Sequence, residues 1–514
     1  MKKFGLYILL IILPFLLFFI SFRSTGRPFW LFADPHYAYL LNSLTMAQFD
    51  RVWLVHHPGT TVEILGAITI KIVHFFCGEN DLVHDVSTNP ELYLATIYYV
   101  LVGLNVLVLL AIGLFAYVIT RNIWLSFLIQ LTPFLSKTYL VLLCRVSADP
   151  LLLPVILLFV AIIILTFKLK IEEHLKLYTF LFALITGLGL ATKVTFIPLV
   201  AIPILILPKF RWKGYYFFGA VISFVLFTLP IITEYPRMIN YFLTRFVQQG
   251  LGPGKKSFID TILLEPFLLI IILISIFVIS ISVPNFRQYS RKNFTFKLLL
   301  AVTISQIFSL IMVMKHPQGA FSGSARYLIS ALGLSGITLV LIFNQVKQMN
   351  IGKKFVARGL PYFVIVSLLI FVYFRVTDAQ VKYKYIKINK DRTLAISQKV
   401  EKDYKECAKI YNYFSSSIPQ ALFLGNQWAS YGPPWKYSKE LKKIYSNDKI
   451  YFYKIFDHRY FDWSSVIKFE KIQSNHKCII FISPAFEGSW SQYKPNIPLE
   501  EVYRIEGRVI YKVK

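Results

Sequence analysis

Acidic side chains are scarce in this chain. Its 514 residues carry 27 Asp and Glu against 55 Lys and Arg, and only 16% of positions are charged. A soluble globular protein is nearer a quarter charged, so the composition excludes that class for the chain as a whole. Cysteine is nearly absent too. Cys77, Cys144, Cys407 and Cys478 show no Cys-x-x-Cys or Cys/His spacing, which leaves no legible zinc site. A Cys407–Cys478 pairing stays open, because pairing cannot be read from spacing. No Walker loop, GxSxG or HExxH occurs, so ATP-driven transport and the commonest hydrolase chemistries lack support. Internal repeats and low-complexity linkers are missing as well.

What the chain has is hydrophobic length. Apolar residues make up 56%, and long runs recur at about 4–22, 93–119, 123–143, 151–167, 177–192, 194–208, 214–232, 262–283, 298–314, 327–344 and 361–375. These predict a mainly α polytopic membrane protein of about eleven spans. The first run follows Lys2-Lys3 but has no small-x-small cleavage site, so it reads as a retained span. Short connections holding Arg121, Lys168, Lys170, Lys176, Lys209, Arg211, Lys213, Lys297 and Lys347 alternate with longer aromatic ones. The positive-inside rule then puts the N-terminus in the cytoplasm and residues 376–514 outside, with all four cysteines at the exterior or its edge. The net charge of +28 is spread over these loops and among the acids of the tail, so it points to anionic lipid headgroups and not to nucleic acid.

The division expected is a transmembrane domain over 1–375 and a small extracytoplasmic α/β domain over 376–514. In the tail, Ile396 to Phe414 has helical periodicity, while ALFLG, KIYFYKIF, KCIIFIS, EEVYRIE and GRVIYKVK read as short strands. In the first outer loop, Pro35 to Phe49 reads as an amphipathic helix and Glu63 to Phe76 as an apolar stretch lying in the interface. The loop around Gly252-Pro253-Gly254-Lys255-Lys256 reads as a connector.

Two Asp-Pro pairs, Asp34-Pro35 and Asp149-Pro150, abut apolar runs on the outer face of this threading. Acids there are costly to desolvate, so each calls for a reason. Asp-Pro is the grammar of a helix start, and a carboxylate is also a base or ligand; both readings stand at each pair. Asp50, Glu63 and Glu234 read as solvated loop acids, Lys193 as a snorkelling lysine or a ligand, and His57 as a turn or a site residue.

The segment ADPHYAYLLNSLTMAQFDRVWLVHHPGTTVEILGAI, from Ala33, resembles the first outer loop of the GT-C glycosyltransferases. That group includes protein O-mannosyltransferases and the aminoarabinose transferase acting on lipid A. Asp34 matches the family's acid, Tyr37 its aromatic, and His57-Pro58-Gly59 its His-Pro-Pro; His36 stands near the usual second acid and Gly59 replaces the second Pro. Further on, CRVSADPLLLPVILL resembles the family's Asp-Pro-x-Leu segment, GLGLATKVTFIPLV its Leu-x-x-Lys hairpin ending at Lys193, and SARYLISALG its late Arg-Tyr. The match spans about residues 1–345.

The resemblance implies inverting transfer of a sugar from a polyprenyl-phosphate donor to an envelope lipid, glycan or protein. Asp34 and Asp149 would be the catalytic acids, with Asp34 the base. Lys193, Arg326, Tyr327 and Lys315 would take the donor phosphate, and His57, His56 and Tyr37 the substrate. Chemistry agrees, since an acceptor must lose a proton as it attacks, while a phosphate leaving group needs neutralising more than protonating. The sequence names no cofactor. A divalent ion between Asp34 and Asp149 is conceivable, although the missing second acid weakens it. The rival readings are a transporter or flippase, and a noncatalytic envelope scaffold.

Overall fold

The computed structural model describes residues 2–23, 28–55, 58–244, 265–282, 294–314, 326–349, 353–412, 417–446, 448–454, 458–483 and 495–514. The fold is mainly helical, with one small sheet near the C-terminus. Packing divides it into two units, one made of Met1–Arg23, Val55–Thr61 and Val100–Asp378, the other of Ser24–Leu54, Val62–Tyr99 and Ala379–Lys514.

Among the described residues, seven helices are long and apolar enough to cross a membrane. The number rises to eight if Phe210–Phe227 and Leu229–Phe242, bent by 92° at their junction, form one span; three shorter apolar helices accompany them. The eleven spans expected from hydropathy are therefore not reproduced one for one. The run 123–143 is the clearest departure. It breaks into Ile123–Gln130, a 3-10 turn at Thr132–Phe134, and Lys137–Leu142. Pro133 has no N–H to continue the first helix, and Ser136 starts the last by accepting from the Tyr139 N–H at 3.1 Å.

In the first unit, polar side chains buried among apolar helices fix which helices touch. Gln130 Nε2 donates to the carbonyls of Leu10 at 2.9 Å and Leu109 at 3.0 Å, joining three helices. Asn105 Nδ2 donates to the Pro150 carbonyl at 2.9 Å, and its oxygen accepts from the Tyr139 hydroxyl at 2.7 Å. Lipid tails are as apolar as leucine, so such bonds give pairing its specificity while each adds only about 0.6 kcal/mol. Gly189 permits the sharp reversal after Leu175–Thr192, since a Cβ there would lie 2.5 Å from the Phe196 ring.

The second unit holds a seven-stranded sheet in the order β4-β3-β2-β1-β5-β7-β6. Its strands are β1 (Ala408–Asn412), β2 (Ile450–Lys454), β3 (Arg459–Phe461), β4 (Val466–Ile467), β5 (Ile479–Ile482), β6 (Leu499–Ile505) and β7 (Arg508–Val513). β1 runs parallel to β2 and β5, and the other pairs are antiparallel. Two expectations fail here. ALFLG belongs to the helix Ile418–Gln427, capped by Ser417, whose Phe423 ring stacks on Phe452 at 3.9 Å. The helix expected to run to Phe414 ends at Asp403 and gives way to β1. Both segments are buried on nearly all sides, which erases the alternation that separates strand from helix.

The helix Ala33–Ala47 is buried along its whole length from His36 to Ala47, so it is not the one-sided amphipathic helix expected. It packs on Ile418–Gln427, where a Cβ on Gly425 would lie 2.6 Å from the Tyr37 carbonyl. Helix Thr60–Cys77 buries one face and exposes Ile68, Ile72, Phe75 and Phe76. The Cys407–Cys478 disulfide ties the residue before β1 to the one before β5. It closes a separation of 71 residues, so replacing both cysteines by serine should cost about 2–5 kcal/mol. Thermal unfolding with and without reductant checks this: the wild type should lose stability on reduction and the double serine variant should not respond.

Candidate active site

Helices Ala148–Leu165 and Leu175–Thr192 follow one another and run antiparallel, so the start of the first meets the end of the second. Asp149 sits at that start. The residue capping the helix is Ser147, and Asp149 is already the second helical residue, so capping is not the role of its carboxylate. It forms an ion pair with Lys193, and both residues are buried, at 4% and 3% exposure. The Ser147 hydroxyl approaches the other carboxylate oxygen at 3.5 Å.

Lys193 is held from several directions. Its backbone is extended between the helix it ends and the 3-10 segment Val194–Val200. Its N–H donates to Gly189 at 2.8 Å, and its backbone forms an isolated antiparallel bridge with Pro58. The Thr61 hydroxyl donates to Thr192 at 2.9 Å and tightens the same junction. The Tyr327 ring lies 5.4 Å from the Lys193 ammonium, and Arg326 donates to the Tyr327 hydroxyl at 2.9 Å. Arg326 and Arg145 both act electrostatically on Asp149 and Lys193. Three cations thus gather around one carboxylate, an arrangement suited to an added anion.

Leu190 and Val194, which flank Lys193 in the chain, line an apolar cavity of about 320 Å³ together with Pro58, Tyr216, Phe217 and Phe224, and none of the charged residues named above is in its walls. Walls of that composition suit an apolar chain.

Of the residues expected at a site, Asp149, Lys193, Arg326 and Tyr327 therefore come together in the first unit. Asp34 is the second residue of helix Ala33–Ala47 in the second unit. Its side chain lies outside the described residues, as do His56, His57, Lys315 and the loop Gly252–Lys256. Tyr37 is fully buried and donates to Glu91 Oε1 at 2.7 Å; burial and the Glu91 carboxylate push its hydroxyl well above the usual phenol range.

Glu91 was not singled out in the sequence. It also accepts from the backbone N–H groups of Phe29 at 2.8 Å and Trp30 at 3.0 Å, fixing the turn that leads into Asp34. Arg145 was missed too, although it lies in the quoted motif. Glu63 and Glu234 are buried, against the expectation of solvated loop acids. Glu234 pairs with Arg237, whereas neither Glu63 oxygen has a hydrogen-bond partner. Asp50 stays exposed and pairs with Lys436. Among the described residues, no cluster of three His, Cys, Asp or Glu is placed to hold a metal ion.

No protein-family model matches the chain, and no curated protein sequence does. Solved structures do. ArnT from Cupriavidus metallidurans bound to undecaprenyl phosphate superposes with a TM-score of 0.55 at 12% identity, over 99% of this chain and 98% of that one. The apo state of the same enzyme gives 0.53 at 12% identity, over 100% and 98%. The chain has an ArnT-like fold. ArnT, an aminoarabinose lipid A transferase, carries the GT-C fold, so the fold-level resemblance read in the motifs holds along nearly the whole length.

Removing one member of the Asp149–Lys193 pair strands the other charge in an apolar surrounding. Asp149→Asn should therefore destabilise by about 3–5 kcal/mol, while Asp149→Leu combined with Lys193→Met should cost clearly less. Thermal unfolding of the purified variants in one detergent distinguishes the two outcomes. Glu63→Gln should leave stability unchanged or raise it by about 1–3 kcal/mol, since it removes a buried carboxylate without partners; the same unfolding series measures it.

Proposed function

We propose that the chain is a membrane glycosyltransferase that moves a sugar from a polyprenyl-phosphate donor to an envelope lipid, glycan or protein. The observation that carries this reading is the cluster of Lys193, Arg326 and Arg145 around Asp149, in a unit that also holds an apolar cavity. An ArnT-like fold supports it, one of the ArnT structures being bound to undecaprenyl phosphate. In this reading the prenyl tail enters the apolar cavity and the phosphate meets the cations.

Transfer with inversion follows from one displacement. The acceptor oxygen or nitrogen attacks the anomeric carbon as the bond from that carbon to the phosphate oxygen breaks. Asp34 takes the acceptor proton, and the departing phosphate keeps the electron pair. Lys193 and the two arginines stabilise that charge as it grows, in a setting where water competes little. Asp149 is then a positioning residue that holds the ammonium in place between turnovers, and Asn105 anchors Asp149 through the Pro150 carbonyl.

The site belongs on the extracytoplasmic face. A disulfide between Cys407 and Cys478 suits an oxidising compartment, and the short basic loops suit the cytoplasm. The transporter reading is the weaker one, because the Asp149–Lys193 pair sits at helix ends and not at mid-span.

Asp34→Asn is nearly isosteric and removes the base. It should lower transfer by at least about 10²-fold with unchanged expression and unfolding midpoint. Arg326→Gln should raise the donor KM about tenfold, the equivalent of losing about 1.4 kcal/mol of phosphate binding. Sugar transfer from donors extracted with the protein and identified by mass spectrometry provides the assay. Full transfer by Asp34→Asn would sink the catalytic assignment, and a noncatalytic scaffold would predict no transfer by the wild type.

A further inference from the structure

We infer that Arg508 and Arg392, on the sheet-bearing unit, form a binding site for a phosphate group. The inference does not depend on the transfer reaction proposed above. Arg508 opens β7 and faces Ile505 of β6 across the turn Glu506-Gly507, whose two residues have φ of 35° and 86°. It is only 3% exposed, yet its Nε and Nη2 have no hydrogen-bond partner. Those atoms carry three of the five N–H donors of a guanidinium. More than nine in ten buried polar groups in folded proteins are satisfied, and an unsatisfied charged donor is the costliest exception.

The neighbour that should be an acid is instead another cation. Arg392, on the helix Lys353–Asp403, acts on Arg508 electrostatically, with the Tyr385 hydroxyl the other near group. Burial first, and then the Arg392 charge, lower the Arg508 pKa to about 10, so the group remains charged at neutral pH while its surroundings favour an added negative charge. The carboxylate of the adjoining turn is already engaged, because Glu506 accepts from both Nε and Nη2 of Arg392. The helix adds Lys382, Lys384, Lys387 and Lys390 against Asp391 alone over residues 380–391, which draws anions toward this surface.

A guanidinium with three unused donors, under the influence of a second one, matches the several oxygens of phosphate better than a single carboxylate. Arg392 is partly exposed and gives the anion a way in. The phosphate could be a lipid headgroup or a soluble ion, and the experiment separates these sources.

Full-length protein in detergent is unfolded thermally while inorganic phosphate replaces chloride at constant ionic strength. The wild-type midpoint should rise saturably with phosphate, and Arg508→Met should abolish the rise. Arg392→Gln should weaken the apparent affinity at least tenfold. If Arg508→Met does not fold, Arg508→Lys takes its place; it keeps the charge but loses the fork, and should bind at least fivefold more weakly. The same proteins are then placed in nanodiscs of phosphatidylglycerol or of phosphatidylcholine without free phosphate. Stabilisation in phosphatidylglycerol that Arg392→Gln lacks assigns the site to a headgroup, whereas a response to inorganic phosphate alone assigns it to a soluble anion. The same phosphate response in wild type and every variant, or none in the wild type in either medium, overturns the inference.

Discussion

An ammonium and a carboxylate withdrawn from water are tolerable only together, and Asp149 and Lys193 are withdrawn almost completely. The helices carrying them must therefore end within side-chain reach of each other. That requirement settles much of the first unit: the antiparallel course of Ala148–Leu165 and Leu175–Thr192, the close turn at Gly189, and the bridge from Lys193 to Pro58. Asn105 then holds the Pro150 carbonyl, so the acid is fixed from a third helix. A buried pair is poor evidence of added stability, because desolvation consumes much of the Coulomb gain. Its value here lies in position, since a cation held ready loses little freedom when an anion arrives.

The second unit uses the same economy with different groups. Glu91 gathers two backbone N–H groups and the Tyr37 hydroxyl around the entry to helix Ala33–Ala47. Farther along that helix, Asn42 donates to the Trp428 carbonyl at 2.9 Å and accepts from the N–H groups of Trp53 and Leu54. A few polar side chains, each making several bonds, thus set the path of loops that hydrophobic packing alone would leave free to slide. Gly425 permits the close packing against Tyr37 that puts the first turn of this helix, and Asp34 with it, in a fixed place in the unit.

Sequence reading reached the membrane class, the small sheet and the GT-C resemblance because those are written in long-period signals: apolar runs, and motifs in a fixed order. It also singled out Asp149, Lys193, Arg326 and Tyr327, which the fold brings together, each at the edge of an apolar run where a polar residue stands out. It failed where burial was the whole message. Glu63 in TTVEILG looks like any loop acid, yet the fold encloses it. Glu91 opens a long helix, and its three partners are more than fifty residues away. Arg145 was overlooked beside the acid it influences, and ALFLG and β1 lost their periodicity to complete enclosure.

The order of strands in the sheet has a consequence for how the chain matures. The innermost strand, β1, is made first, at residues 408–412, and its two parallel partners are made later, at 450–454 and 479–482. Until those segments emerge, β1 has no edge to join and leaves Ala408, Ile410 and Tyr411 uncovered. Closure of the sheet-bearing unit must therefore wait for nearly all of the chain, a long-range pairing that is slow by nature and exposed to misassociation while it is incomplete. Assembly of this unit is thus governed by the strands that follow β1, which come well after the apolar helices of the first unit in the chain.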